Sequence, residues 1–149
     1  MTDTTLGKGD FLRAISSLMT SDFKNLGRGS DDSPPITAET RLDAHGLSLD
    51  SFDRMRLARL VDEMFHVYES TTEEDLLRAS RVGDWADIAA SAWRRFGEKI
   101  TFLTSGSTGQ VKPCEHAFRS IEQEAAHFAE IFGDRNRVVA LVPVIRRPC

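Results

Sequence analysis

Apolar residues recur at helical spacing in four stretches of the first 97 residues. The first two predicted helices cover residues 10–20, where Asp10 can cap the helix, and a longer segment that begins at Ser51. The apolar face of the first consists of Phe11, Leu12, Ile15, Leu18 and Met19. The face of the second consists of Phe52, Met55, Leu57, Leu60, Val61, Met64, Phe65 and Tyr68.

Two further helices complete this helical region. The third is short and lies within residues 70–80, where a capping box is formed by Ser70 or Thr71 with Glu73 or Glu74. The fourth is predicted to start at Asp84 and to end at Gly97. Its apolar face consists of Trp85, Ile88, Ala89, Ala92, Trp93 and Phe96.

The pattern changes after Gly97. The segment KITFLTS is short, β-branched and aromatic, which predicts a strand. A glycine- and hydroxyl-rich loop, SGSTGQ, separates it from a second extended piece, VKPCEH. An amphipathic helix is predicted over residues 117–133, and the segment of residues 137–144, whose apolar run after Arg137 is continuous, predicts a buried strand. The predicted order after Gly97 is therefore β-loop-β-α-β.

These elements predict a mainly α protein in three parts: an N-terminal tail (residues 1–9), a four-helix unit (residues 10–97) and a β-loop-β-α-β fragment (residues 98–149). A strand that is apolar on both faces needs layers on both sides, and the third part scarcely provides them. This part is therefore interpreted as the incomplete beginning of a larger domain.

Composition narrows the class of protein. The chain is 40% apolar and 28% charged, as in soluble globular proteins, and its net charge of -4 comes without a basic stripe that would attract nucleic acid. No apolar run is long enough to span a membrane, and the polar N-terminus does not resemble a secretory signal. Two cysteines are too few for a disulfide scaffold, which favours a cytoplasmic location.

Ser51 follows an aspartate at the start of the second predicted helix. An Asp-Ser pair at this place is, by itself, typical of a helix N-cap. With the order of helices around it, the pattern resembles the acyl carrier protein family over about residues 10–96. The matching residues are Gly46, Leu49, Asp50, Ser51 and Phe52, followed by an amphipathic helix that ends in VDEMF.

The resemblance implies that Ser51 carries a covalent 4'-phosphopantetheine arm, supported by Gly46, Asp50 and Phe52. A phosphopantetheinyl transferase would donate the arm from coenzyme A, and its thiol would hold an acyl or aryl group as a thioester. The implied partners are acyl-transferring, condensing or ligase enzymes of fatty-acid, polyketide-like or specialised lipid biosynthesis. A helix N-terminus favours the phosphodiester. The following helix is less acidic than is usual in the family, and we interpret its basic residues as a solvated face: Arg54, Arg56 and Arg59.

The glycine-rich loop is the second candidate site. By itself a GSTG run is typical of a tight turn, and the order of a Walker A loop is absent. The longer run resembles the phosphate-binding loop of the adenylate-forming (AMP-binding) acyl- and aryl-CoA synthetase family, although Val111 and Pro113 replace the proline and glycine usual there. The matching residues are Thr104, Ser105, Gly106, Ser107, Thr108, Gly109 and Lys112.

This second resemblance implies that the loop holds the phosphates of ATP while a carboxylate attacks the α-phosphorus. Glycines let backbone N–H groups approach phosphate oxygens, and Lys112 adds a positive charge. The family continues for several hundred residues beyond this point. We therefore expect the chain to be a truncated piece of a carrier–ligase fusion that binds ATP weakly or not at all.

Three hypotheses follow from the sequence. The first is an acyl carrier module modified at Ser51, the second is a fragment of an ATP-dependent acyl or aryl ligase, and the third is a helical interaction domain in which Ser51 is only a cap. Carrier and ligase are compatible in one parent protein. No metal site and no nucleophile–base pair is predicted, so no catalytic residue is assigned.

Overall fold

A computed structural model describes residues 6–28, 34–69, 73–105 and 111–133. The helices and strands in these ranges are α1 (Lys8–Asn25), α2 (Ser51–Phe65), α3 (Glu73–Arg78), α4 (Val82–Phe96), β1 (Lys99–Ser105), β2 (Val111–Ala117) and α5 (Phe118–Phe132). A 3-10 turn, Val67–Glu69, follows α2. The mainly α class is confirmed, and β1, β2 and α5 follow in the predicted order. The strand predicted over residues 137–144 lies outside the described residues, and the carrier-like form of the helical bundle stays a prediction.

The first helix is longer than predicted, and it begins before Asp10. Gly7 is the N-cap, with extended backbone, and the Asp10 carboxylate accepts a hydrogen bond of 2.8 Å from the Gly7 N–H. Asp10 therefore satisfies the helix entrance from inside the first turn and is not itself the cap. The helix continues to Asn25, which brings Asp22 beside Arg56 of α2.

The fourth helix begins two residues before the predicted Asp84. Its first residue is Val82, and the Asp84 carboxylate accepts hydrogen bonds from the N–H groups of Ser80 and Arg81, at 3.1 and 2.9 Å. The predicted end at Gly97 is confirmed. A Cβ atom on Gly97 would lie 2.3 Å from the Trp93 carbonyl oxygen, so only glycine fits this close approach.

The core lies where α1 packs against α4 and where α2 and α3 close the remaining sides. Trp85 is fully buried, and its indole N–H donates a 2.7 Å hydrogen bond to the Leu76 carbonyl oxygen. The irregular connection before α2 contributes two further core residues, Leu42 and Leu49. The largest fully buried side chains are Trp85, Phe11, Ile15, Met19, Leu42, Leu57, Leu76, Val61, Val67 and Val82.

The predicted apolar face of α2 is right for its second half and wrong for its first turn. Leu57 and Val61 are fully buried, whereas Phe52 and Met55 are exposed, at 80% and 55%. At 100° per residue, both exposed side chains lie on the side of the helix opposite Leu57. Tyr68 was also assigned to this face, but it follows the end of α2 and is exposed.

The two strands form an antiparallel hairpin whose register runs from Lys99 opposite Ala117 to Ser105 opposite Val111. Ile100 of β1 is buried in the core of the helical region, and Phe102 and Phe118 pack against that core. The predicted domain boundary after Gly97 stays a prediction. Helix α5 has the predicted amphipathic pattern, but no residue of α5 is classed as buried.

Candidate functional site

The hairpin brings the two ends of the glycine-rich loop together. The antiparallel register pairs Thr104 with Lys112 and Ser105 with Val111. Lys112 lies on β2 and is exposed. The other predicted loop residues lie outside the described residues: Gly106, Ser107, Thr108 and Gly109. Three of the seven predicted residues therefore have described backbone positions, and these three occupy the paired strand ends.

One polar contact joins the hairpin to the helices, and an ion pair joins its two strands to each other. The Thr101 hydroxyl lies 3.0 Å from the His66 Nε2 atom, and His66 ends α2 in a left-handed conformation with φ of 53°. Lys99 and Glu115 form a cross-strand ion pair of 2.8 Å. The hydrogen bond from Lys99 holds the pKa of the Glu115 carboxyl below its ordinary value. The glycine-rich loop therefore joins the ends of β1 and β2 that lie farther from these side-chain contacts.

Ser51 is the first residue of α2, and Asp50 is the cap. The Asp50 carboxylate accepts a 2.8 Å hydrogen bond from the Asp53 N–H. Ser51 is exposed at this helix N-terminus. The cap and the candidate attachment residue are thus neighbouring residues with separate functions, so the serine hydroxyl is not committed to capping. The exposed position and the N-terminal end of the helix dipole fit a phosphodiester.

Gly46 and Phe52 have physical roles of their own in this motif. A Cβ atom on Gly46 would lie 2.1 Å from the Arg41 carbonyl oxygen, so the loop before α2 closes on itself only with glycine there. The same loop is held by the Leu47 N–H, which donates a 2.8 Å hydrogen bond to that carbonyl. Phe52 projects to solvent beside Ser51. Gly46 therefore shapes the loop, while Phe52 adds an exposed apolar side chain next to the serine.

An ion cluster around the buried Asp53 carboxylate (the Asp53 ion cluster) was not predicted. Asp53 is only 6% exposed, and it pairs with Arg28 and with Arg56, which also binds Asp22 at 2.8 Å. The Arg28 hydrogen bond, followed by that from Arg56, holds the pKa of the Asp53 carboxyl below its ordinary value. The spacing of Asp53 and Arg56, three residues apart on one helix, was the available signal.

The three arginines of α2 do not form one solvated face. The Arg56 guanidinium belongs to the Asp53 ion cluster, and the Arg54 guanidinium donates a hydrogen bond to the Ala79 carbonyl oxygen beside α3. Arg59 alone fits the predicted surface role, because it pairs with Glu63 one turn later on the exposed side. The earlier interpretation is therefore wrong for Arg54 and Arg56, which connect α2 to neighbouring elements.

Within residues 6–28, 34–69, 73–105 and 111–133, no group of three or more histidine, cysteine, aspartate or glutamate side chains is arranged to hold a metal ion. No helix in these ranges is both long enough and apolar enough to cross a membrane.

Comparison with known proteins gives three relatives, each named 4-coumarate–CoA ligase. The relative from Halorhodospira halophila is 36% identical over 143 residues, which cover 93% of this chain and 36% of that protein. The relative from Cereibacter sphaeroides is 34% identical over 115 residues (73% of this chain, 28% of that protein). The relative from Rhodobacter capsulatus is 30% identical over 117 residues (72% and 30%). The chain thus spans about a third of the length of these curated relatives.

The match to the H. halophila relative extends over both the helical region and the hairpin. Because 93% of the chain lies inside the match, α2 and α4 are included together with the hairpin. The region that was interpreted as a carrier is therefore itself similar to part of a ligase. No protein-family model matches the chain, and no solved structure matches it. The relatives support the ligase hypothesis ahead of the carrier hypothesis.

Proposed function

We propose that this chain provides the ATP-phosphate-binding part of a ligase that activates an aryl or acyl carboxylic acid. The observation that carries the proposal is the similarity to 4-coumarate–CoA ligases, which extends over the helices as well as the hairpin. In the proposed reaction, the acid carboxylate attacks the α-phosphorus of ATP and releases pyrophosphate. The thiol of coenzyme A then displaces AMP and forms the thioester.

The hairpin supports this role through its register. Thr104 and Lys112 are paired, so the segment that joins the strands begins and ends at neighbouring backbone positions. Gly106 and Gly109 would let backbone N–H groups approach phosphate oxygens, and Lys112 would contribute a positive charge. The ion pair of Lys99 with Glu115 lies at the other end of the hairpin and has no part in the proposed binding.

A chimera tests the ligase function. The matched segment of the H. halophila ligase is replaced by this chain, and pyrophosphate release that depends on 4-coumarate is measured. We expect an active chimera in which Lys112→Ala lowers the rate about 100-fold, since one charged contact to the reacting phosphates is lost. Lys99→Ala is the matched control, and we expect a change of less than about twofold. A folded but inactive chimera, or equal effects of the two substitutions, would contradict the proposal.

Binding of ATP to the chain alone gives a second measurement. We expect weak binding or none. The chain tested alone lacks the part of the ligase relatives that lies outside the matched segment. Tight binding that Lys112→Ala abolishes would show that the hairpin is sufficient by itself.

We infer a cytoplasmic location, where ATP and coenzyme A are both available.

A carrier function is the second candidate, favoured by the exposure of Ser51 at the N-terminus of α2. The chain is incubated with coenzyme A and a phosphopantetheinyl transferase of broad specificity, and its mass is measured. The carrier hypothesis expects a phosphopantetheine adduct that Ser51→Ala removes. Ser91→Ala, at an exposed position of α4, is the control. No mass gain on the folded wild-type chain excludes this candidate and leaves the ligase proposal untouched.

A further inference from the structure

An apolar cavity of about 420 Å³ lies between α1, the end of α2, β1 and the start of α5. None of its lining residues belongs to the Thr104–Lys112 segment or to the Ser51 motif. Its apolar walls come from elements on both sides of Gly97. The apolar lining residues are Leu6, Phe11, Ala14, Met64, Phe65, Ile100, Phe102 and Phe118.

Aromatic rings pack against one another along one wall of this cavity. Phe11 and Phe65 are almost fully buried, and their rings meet edge to face with centroids 5.2 Å apart. The Trp93 ring packs against both Phe11 and Phe118, with ring centroids 6.1 and 4.9 Å apart. Such edge-to-face contacts stabilise a fixed arrangement of rings, so the wall is formed before any ligand enters.

Three polar side chains also line the cavity: Asp10, Arg13 and Ser17. The Asp10 carboxylate accepts hydrogen bonds from the Gly7 N–H and from the Arg13 guanidinium, which together hold its pKa below the ordinary value. Asp10 is therefore ionised at neutral pH and its charge is balanced by Arg13. An anionic ligand would meet the carboxylate and a cationic ligand would meet the guanidinium. A hydroxyl group can donate to the first and accept from the second.

We propose that this cavity binds a small neutral aromatic molecule that carries one hydroxyl group, of the phenol or aryl-alcohol class. The ring would lie among the phenylalanine side chains, and the hydroxyl would face the Asp10–Arg13 pair. A cavity of roughly 150 Å³ already accepts benzene, so the volume here suits one or two rings. Ligand sites of this kind are mostly apolar with a few polar groups that fix orientation. The inference does not depend on ligase or carrier activity.

Calorimetric titration of the full chain tests the proposal. The probes are 4-methylphenol, 4-methylcyclohexanol, 4-methylbenzoate and 4-methylbenzylamine, which share their size but differ in ring type and charge. We expect saturable binding of the phenol and at least about tenfold weaker binding of the other three. No binding of the phenol, or equal affinity for the benzoate, overturns the proposal.

Two variants locate the site. Ala14→Phe fills the cavity and should weaken phenol binding about tenfold or more, whereas Ala126→Phe, on the exposed surface of α5, should not. Asp10→Asn leaves the Arg13 charge unopposed and should raise the affinity for 4-methylbenzoate relative to the phenol. Circular dichroism checks the fold of each variant. Phenol binding unchanged in folded Ala14→Phe overturns the assignment. If Ala14→Phe does not fold, the Asp10→Asn variant decides. The assignment is then overturned if that variant keeps the wild-type preference for the phenol over 4-methylbenzoate.

Discussion

Helices α4 and α5 have the same length and equally clear amphipathic patterns, but their surroundings differ. In α4 most of the apolar side chains are buried or half-buried, and Trp85 is fully buried in the core. In α5 no residue is buried, and Phe128, Ile131 and Phe132 are exposed. The comparison teaches that periodicity identifies the face of a helix that can be buried, whereas burial depends on what packs against that face. Three predictions test how far this difference extends through the molecule.

The largest expected difference comes from the same substitution on α1 and on α5. Phe11→Ala should lower the free energy of unfolding by about 3–5 kcal/mol, because it opens a cavity in the core. Phe128→Ala should change it by less than about 0.5 kcal/mol, because that ring is half exposed. Urea denaturation followed by circular dichroism measures both. Equal losses would mean that the face of α5 is covered in solution, and the dependence on protein concentration would then identify self-association.

A second, smaller difference concerns two carboxylates whose pKa values are lowered in the folded protein. The buried Asp53 carboxylate is the centre of the Asp53 ion cluster, and Asp53→Asn should cost roughly 1–3 kcal/mol at neutral pH. Its ionised form contributes stability above the ordinary pKa of 3.8, and this contribution is lost as pH falls through the lower folded pKa. The acid side of the stability curve should therefore be flatter in Asp53→Asn than in the wild type.

Glu115→Gln is the matched substitution in the hairpin. Glu115 is exposed, so solvent screens its ion pair with Lys99 and the change in stability should be far smaller than for Asp53. Urea denaturation at a series of pH values measures the two variants in parallel. An acid-side curve for Asp53→Asn that matches the wild type would contradict the importance given to the cluster.

The smallest expected effect concerns the connection between the helices and the hairpin. Thr101→Val removes the hydroxyl that bonds His66, which should cost about 1 kcal/mol and speed the exchange of amide hydrogens in β1. Thr20→Val, which removes an exposed bond within α1, is the control and should leave β1 exchange unchanged. Equal β1 exchange in the two variants would show that the His66 contact does not hold the strand.

The local elements could be predicted from the sequence because their signals are local. KITFLTS forms the whole of β1, and Gly97 ends α4 as predicted. The path of the connection before α2 could not be predicted, because it depends on hydrogen bonds to distant partners. The Leu42 N–H donates to the Ser80 carbonyl oxygen, and the Val82 N–H donates to that of Thr40, both at 3.0 Å.

The candidate site could be predicted less completely than the helices and strands. The sequence identifies Ser51 and the glycine-rich loop as motifs, and their chemical roles stay predictions. The only local signal of the Asp53 ion cluster is the spacing of Asp53 and Arg56 on one helix. Arg28 and Asp22 lie 25 and 34 residues from their partners, so no local pattern reveals their part in it. Asp53 and Arg54 occupy the side of α2 nearest Leu57. Phe52 and Met55 had been predicted to lie on that side, as part of the apolar face. The buried Asp53 carboxylate is compatible with folding because Arg28 and Arg56 pair with it.

The pairing of the arginines on α2 determines how this helix presents itself to another molecule. Arg56 is balanced by Asp22 and Asp53, and Arg59 by Glu63, so little unbalanced charge remains along the helix. Phe52 and Met55 stand exposed on the same side as Arg59. Long-range electrostatic steering needs unbalanced charge, and salt weakens it. Encounters at α2 should therefore proceed at rates that vary little with ionic strength and should depend chiefly on contact with these two apolar side chains.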